Sequence, residues 1–141
     1  MPDPRTTRMA QTIVRYSSEV KKGDIVRITG GTEAAPLMRE LYTECIDAGA
    51  HPYVIAGISG LDEIFLDRAR KHQLEFVQPF SQFEIKKVDV LINILSEVNT
   101  KRLSGSDPAR QALTQKARKP IMNTFMKRAA KHERGEKGGL R

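Results

Sequence analysis

The stretch Gly23-Asp24-Ile25-Val26-Arg27-Ile28-Thr29-Gly30-Gly31-Thr32 reads as a turn, a short apolar strand and a glycine break. Glu33 through Ala48 then reads as a helix, and Gly49-Ala50-His51-Pro52 as a second glycine turn that delivers the chain into another strand. A strand, a helix and a strand in this order define the unit from which parallel sheets are built. Working outward, Arg5 to Glu19 predicts a preceding helix, with Met9, Ile13 and Tyr16 at helical spacing, Ala10 and Val14 widening the stripe, and Asp3-Pro4 as its start. Within the central helix, Leu37, Leu41 and Cys45 fall on one stripe, and Gly49 suits the position just past its end.

Tyr53-Val54-Ile55-Ala56-Gly57-Ile58 is apolar nearly throughout, which predicts a parallel strand covered on both faces. Leu61 to Arg70 predicts a short helix with Ile64, Phe65 and Leu66 inward, and Gln73 to Val77 a further helical turn. Pro79 opens a segment carrying Phe80, Phe83 and Ile85, and Val88 to Leu95 is the clearest strand. A polar loop, Ser96 to Asp107, separates it from a basic helical region running from Pro108 to about Lys131, with a break or kink expected at Pro120. The expected fold is therefore α/β: a three-layer domain with a mostly parallel sheet and helices on both faces, of the Rossmann or flavodoxin-like kind. Residues 1–131 form one domain on this reading, and residues 132–141, with three glycines and no apolar stripe, form a tail or the start of an interdomain linker.

Composition narrows the function classes. Apolar residues make up 39% of the 141, with no Trp, so the core is aliphatic. No apolar run approaches the roughly 18 residues that span a bilayer, and the first residues lack the apolar core of a signal peptide. The lone Cys45 excludes an internal disulfide, which suits a reducing cytoplasm. The net charge of +7 is uneven: residues 1–100 hold 12 Lys and Arg against 14 Asp and Glu, whereas residues 101–141 hold 12 against 3.

Few constellations carry chemistry. Gly30-Gly31-Thr32 sits where a phosphate could meet a helix N-terminus, but it matches neither G-x-G-x-x-G nor a P-loop, and Glu33 and Glu40 would repel an anion. His51, His72 and His132 are scattered, without partners at metal-ligand spacing. Hydrolase signatures such as H-E-x-x-H and G-x-S-x-G are absent. Cys45, on an apolar stripe, reads as a buried and inert thiol. Lys101, Arg102, Arg110, Lys116, Arg118, Lys119, Lys127, Arg128 and Lys131 give the end of the chain a basic character that supports an alternative reading, a stand-alone nucleic-acid-binding α/β module. Aromatics for base stacking are nearly missing there, which disfavours it.

The wording of the chain is more specific. Lys22-Gly23-Asp24-Ile25-Val26 with Gly30, then Glu33-Ala34-Ala35-Pro36-Leu37, Arg39-Glu40 and Ala48-Gly49-Ala50-His51-Pro52, resembles the thermophilic metallo-aminopeptidases of the AmpS/PepS-like family. The resemblance continues through Glu63-Ile64-Phe65-Leu66, Gln73-Leu74-Glu75-Phe76-Val77 and Pro79-Phe80. It then covers Asn99-Thr100-Lys101-Arg102-Leu103, Gly105, Asp107-Pro108 and the basic stretch to Met126. It implies an N-terminal α/β domain of a two-part, homodimeric enzyme. The C-terminal domain would hold two divalent metal ions (Zn, Co or Mn) and remove N-terminal residues from peptides. On that resemblance the chain is expected to stop where the first domain ends, to hold no catalytic or metal residue of its own, and to have the catalytic domain as its partner. The basic end would dock or connect to that domain. The loop residues Asn99, Thr100, Lys101 and Arg102, just beyond the clearest strand, are the expected substrate-cavity or interdomain contacts.

Overall fold

A computed structural model of the chain describes residues 3–95 and 107–141. Helix α1, Pro4–Thr12, starts with the Asp3 carboxylate accepting from the Arg5 N–H at 2.9 Å, and it continues as one wide turn, Ile13–Ser17. Strand β1, Ile25–Gly31, leads through a tight turn, Thr32–Ala34, into α2, Ala35–Asp47. Strand β2, His51–Gly57, is followed by three short helices: α3, Leu61–Arg68; α4, Lys71–Leu74; and α5, Pro79–Lys87. Strand β3, Val90–Asn93, and the long helix α6, Pro108–Glu133, complete the described elements. The three described strands are parallel and lie in the order β2-β1-β3, with Val26 beside both Pro52 and Val90. The fold is the α/β, parallel-sheet architecture that the strand–helix–strand reading predicts.

Alternation along β1 sorts the layers. Val26 and Ile28 point to one face, where they meet Ala10 and Val14 of α1, Met38, Leu41 and Cys45 of α2, and Val90 and Ile92 of β3. Val14, Val26, Ile28, Leu41 and Val90 are fully shielded, and each such aliphatic side chain contributes about 1.5–3 kcal/mol when removed from water. Against the opposite face, Leu91 packs with Ile85, Val88, Ile121, Phe125 and Leu140. A third small cluster joins Leu66, Ala69 and Leu74 to Leu113 of α6.

Helix α6 is held to this second layer by two arginines. Helices α3 and α5 pass into extended backbone at Ala69 and Val88 rather than into a glycine cap, which leaves their last carbonyls without helical partners. Arg110 donates from Nε to the Leu66 carbonyl at 2.6 Å and from Nη2 to the Ala69 carbonyl. Arg128 donates from Nη1 to the Ile85 carbonyl at 2.8 Å and also to the Val88 carbonyl, and from Nε to Gly138 at 2.9 Å. The two residues stand 18 apart on α6, five turns at about 3.6 residues each, so one helix face delivers both guanidinium groups.

Several expectations are corrected. Gly30 and Gly31 continue β1 instead of breaking it, pairing with Ala56 and Gly57. Gly30 is needed for close packing: a Cβ there would lie 3.2 Å from Ile94 Cβ and 3.3 Å from the Met38 sulfur. Met9 and Tyr16 are exposed while Ala10 and Val14, four residues apart on one face, are buried; the wide turn Ile13–Ser17 rotates the positions that follow it, Tyr16 among them. Strand β2 is not covered on both faces. It lies at the edge of the described sheet, and Val54 and Ile55 remain 40% and 42% exposed. On α3 only Leu66 is buried, since so short a helix meets its neighbours through one stripe; Ile64 and Phe65 face outward, as do Phe80 and Phe83 of α5. The second helical turn falls at Lys71–Leu74 rather than Gln73–Val77, and β3 is shorter than the apolar run that suggested it. Pro120 lies inside a helix that continues to Glu133; the carbonyl it leaves unpaired, that of Lys116, is on the solvent side.

The end of the chain is also not a free tail. Leu140 is buried against Ile85 and Val88. The Arg141 N–H bonds the Asp89 carbonyl at 3.0 Å and its carbonyl accepts from the Leu91 N–H at 2.9 Å. The Arg141 side chain bonds the Asp24 carboxylate at 2.6 Å. The reason is Leu140: one apolar side chain, followed by a residue able to pair with a strand edge, is enough to fix a glycine-rich segment.

Arg128→Ala is expected to lower the free energy of unfolding by about 1–3 kcal/mol, the cost of leaving buried carbonyls unpaired. Arg118→Ala, on an exposed side chain, should stay within about 0.5 kcal/mol of the parent. Urea unfolding measures both, and equal small effects would contradict the capping role.

Candidate functional site

In an open parallel sheet, ligands gather beyond the C-terminal ends of the strands, where successive crossovers leave in opposite directions. Here the chain moves from β1 to β2 on one side and then to β3 on the other, so that point lies between β1 and β3. Thr29, Gly30 and Gly31 end β1 there, and Asn93 ends β3, directly paired with Thr29. The loop expected to follow, with Asn99, Thr100, Lys101 and Arg102, lies outside the described residues.

The glycine turn is already occupied by the chain's own charge. The Glu33 carboxylate folds back over Gly31, so closely that a Cβ on Gly31 would collide with it. An anion at this helix start would meet a carboxylate, which agrees with the reading of the turn as structural.

Beneath it, on the second face of the sheet, stands a polar cluster that the sequence reading missed. The Arg27 guanidinium pairs with Glu84 of α5, and the Tyr53 hydroxyl donates to the other Glu84 oxygen at 2.8 Å. Burial pushes the Tyr53 phenol up from its ordinary value, and the hydrogen bond and charge of Glu84 add to the shift. Arg27 Nε and Thr29 Oγ1 are shielded from solvent with no hydrogen-bond partner. The signal was legible in principle: Arg27 alternates with apolar Val26 and Ile28 on a central strand, and a charge at such a position requires a partner. This cluster orients and neutralises an arginine; it contains no nucleophile.

The remaining candidates do not converge. His51 begins β2 and is exposed, His72 is on α4, and His132 is near the end of α6. Among the described residues no three His, Cys, Asp or Glu side chains stand together as a metal site. Cys45 is fully buried, and burial, aided by the neighbouring Glu44 charge, pushes its thiol from 9.0 up to about 11. Arg110 and Arg128, counted in the basic segment, are turned inward as helix caps. No helix of the described residues is long and apolar enough to cross a membrane.

These features define an α/β domain with a parallel sheet. The chain belongs to the thermophilic metalloprotease family M29, whose family model matches residues 3–135. Among solved structures it is similar to wild-type AmpT from Thermus thermophilus, at 21% identity with a TM-score of 0.70 over 87% of this chain. The match takes in 33% of the AmpT chain, so this chain spans about a third of that protein's length. A comparison with curated proteins finds no match. A metalloprotease family implies metal ions; the described donors of this chain, separated on different elements, do not fit them.

The thiol makes a direct check of the packing. Its raised value favours the neutral form in the fold. Cys45 therefore supports stability fully below about pH 9, and that support falls as pH rises from there toward 11. At pH 8 the native chain should react with a thiol reagent far more slowly than the urea-unfolded chain. Comparable rates would contradict a closed first-face core.

Proposed function

We propose that this chain serves as the N-terminal, non-catalytic domain of a two-metal aminopeptidase. The whole enzyme would remove N-terminal residues from peptides in the cytoplasm. Its two divalent ions, Zn, Co or Mn, would be held by a C-terminal catalytic domain. This α/β domain would cap that site, shape the peptide cavity and support a homodimer. Asn99, Thr100, Lys101 and Arg102 would contact substrate or the catalytic domain.

The observation that carries the reading is the family match across residues 3–135, on a chain that spans about a third of the Thermus chain. The scattered donor set supports it further. Two-metal hydrolysis needs carboxylates that bridge ions about 3.5–4 Å apart and position a water, and the described residues assemble no such group. The nucleic-acid alternative is weakened by the two inward-turned arginines, since forked guanidinium groups are the stronger phosphate ligands.

The purified chain, incubated with a leucyl peptide and Zn²⁺, Co²⁺ or Mn²⁺, should release no free leucine above a protein-free control. Metal-dependent release that survives removal of contaminating peptidases would overturn the proposal.

A further inference from the structure

Helix α6 carries seven Lys and Arg against a single acid, Glu133, and the fold divides them. Arg110 and Arg128 are used inside. Lys116, Arg118, Lys119 and Lys127 are exposed, and the described ion pairs involve none of the four. Met122 and Met126 stand 50% and 63% exposed, on a stripe bordered by Arg118 on one side and Lys119 on the other, beside the packed Ile121 and Phe125. The twelve residues from Lys116 to Lys127 make a face about 16 Å long at ~1.5 Å per step.

We propose that this outer face of α6 is a docking surface for an acidic protein segment, one whose carboxylates flank an apolar ridge. Three ammonium groups and the Arg118 guanidinium supply the charge to be matched. The two methionines supply soft apolar contact that adapts to a partner's shape, and the lysine stems extend that contact. The same chemistry argues against nucleic acid. No aromatic ring is exposed on this face for base stacking, Phe125 being packed inward, and Arg118 is the one exposed guanidinium between Lys116 and Lys127, Arg128 beyond it being spent on backbone carbonyls. The proposal needs no particular parent enzyme. It requires a partner with the complementary pattern, and it stands or falls separately from the peptidase reading.

The test is fluorescence anisotropy of a labelled amphipathic peptide in which glutamates flank a leucine stripe at helical spacing, titrated with the 141-residue chain at low ionic strength. Saturable binding is expected, weakening as salt rises. Lys119→Glu with Lys127→Glu should raise Kd about tenfold or more, and Met122→Ser with Met126→Ser should raise it several-fold; a tenfold change is about 1.4 kcal/mol. Both pairs are exposed, and circular dichroism checks that the variants fold. Amide shift changes in the unmodified chain should cluster from Lys116 to Lys127, a readout that needs no variant. Absence of binding, shifts elsewhere, or indifference to the methionine changes would overturn the proposal. So would tighter binding of oligouridylate than of the peptide, which would give the face to nucleic acid.

Discussion

Two guanidinium groups on one face of α6 fix where the second layer of this domain can sit. Arg110 takes the last carbonyls of α3, and Arg128 takes those of α5. Neither helix ends in a glycine that could fold back and satisfy them locally. The spacing of five turns sets both caps on the same face of one helix, one near each end. Arg128 also reaches the end of the chain by holding the Gly138 carbonyl. Leu140 and Arg141 then settle against α5 and the edge of β3. A buried carbonyl without a donor costs about 1–3 kcal/mol, a large share of the net stability of a domain.

The two faces of the sheet are thus held in different ways: both are packed with aliphatic side chains, and directed polar contacts are added on one. The first face is closed by aliphatic packing of α1 and α2 around Val26 and Ile28. The second has apolar packing around Ile85, Val88 and Leu140 and adds directed polar contacts: the two caps, and the Arg27–Glu84–Tyr53 cluster that ties β1 and β2 to α5. Non-directional packing tolerates adjustment, whereas directed bonds set position. That division suits a domain whose proposed task is to hold a cavity wall in place while the chemistry occurs elsewhere.

The fold was legible where periodicity and turn chemistry agreed. Ile25 to Ile28, the Leu41–Cys45 stripe and Gly49, which adopts the left-handed conformation expected of it, placed the strand, helix and turn correctly. Legibility failed where burial depended on neighbours that a local pattern cannot name. Val54 and Ile55 look like a fully covered strand, yet the order of strands leaves them at an edge. Arg110 and Arg128 look like members of a basic patch, yet their roles depend on where α3 and α5 end. Glu33 was read as a deterrent to anions, and its carboxylate indeed lies over Gly31. The expected site loop at Asn99–Arg102 lies outside the described residues, and the polar cluster of Arg27 went unread because its partners are 26 and 57 residues away.

Native-state amide hydrogen exchange of the chain and its Arg128→Ala variant tests the central claim most directly. The arginine-capped second layer predicts that the change strips protection from α5 and the C-terminal half of α6 together, while β1 and α2, closed by aliphatic packing, keep theirs. Loss of protection spread evenly over the molecule, or confined to α6 with α5 unchanged, would contradict it.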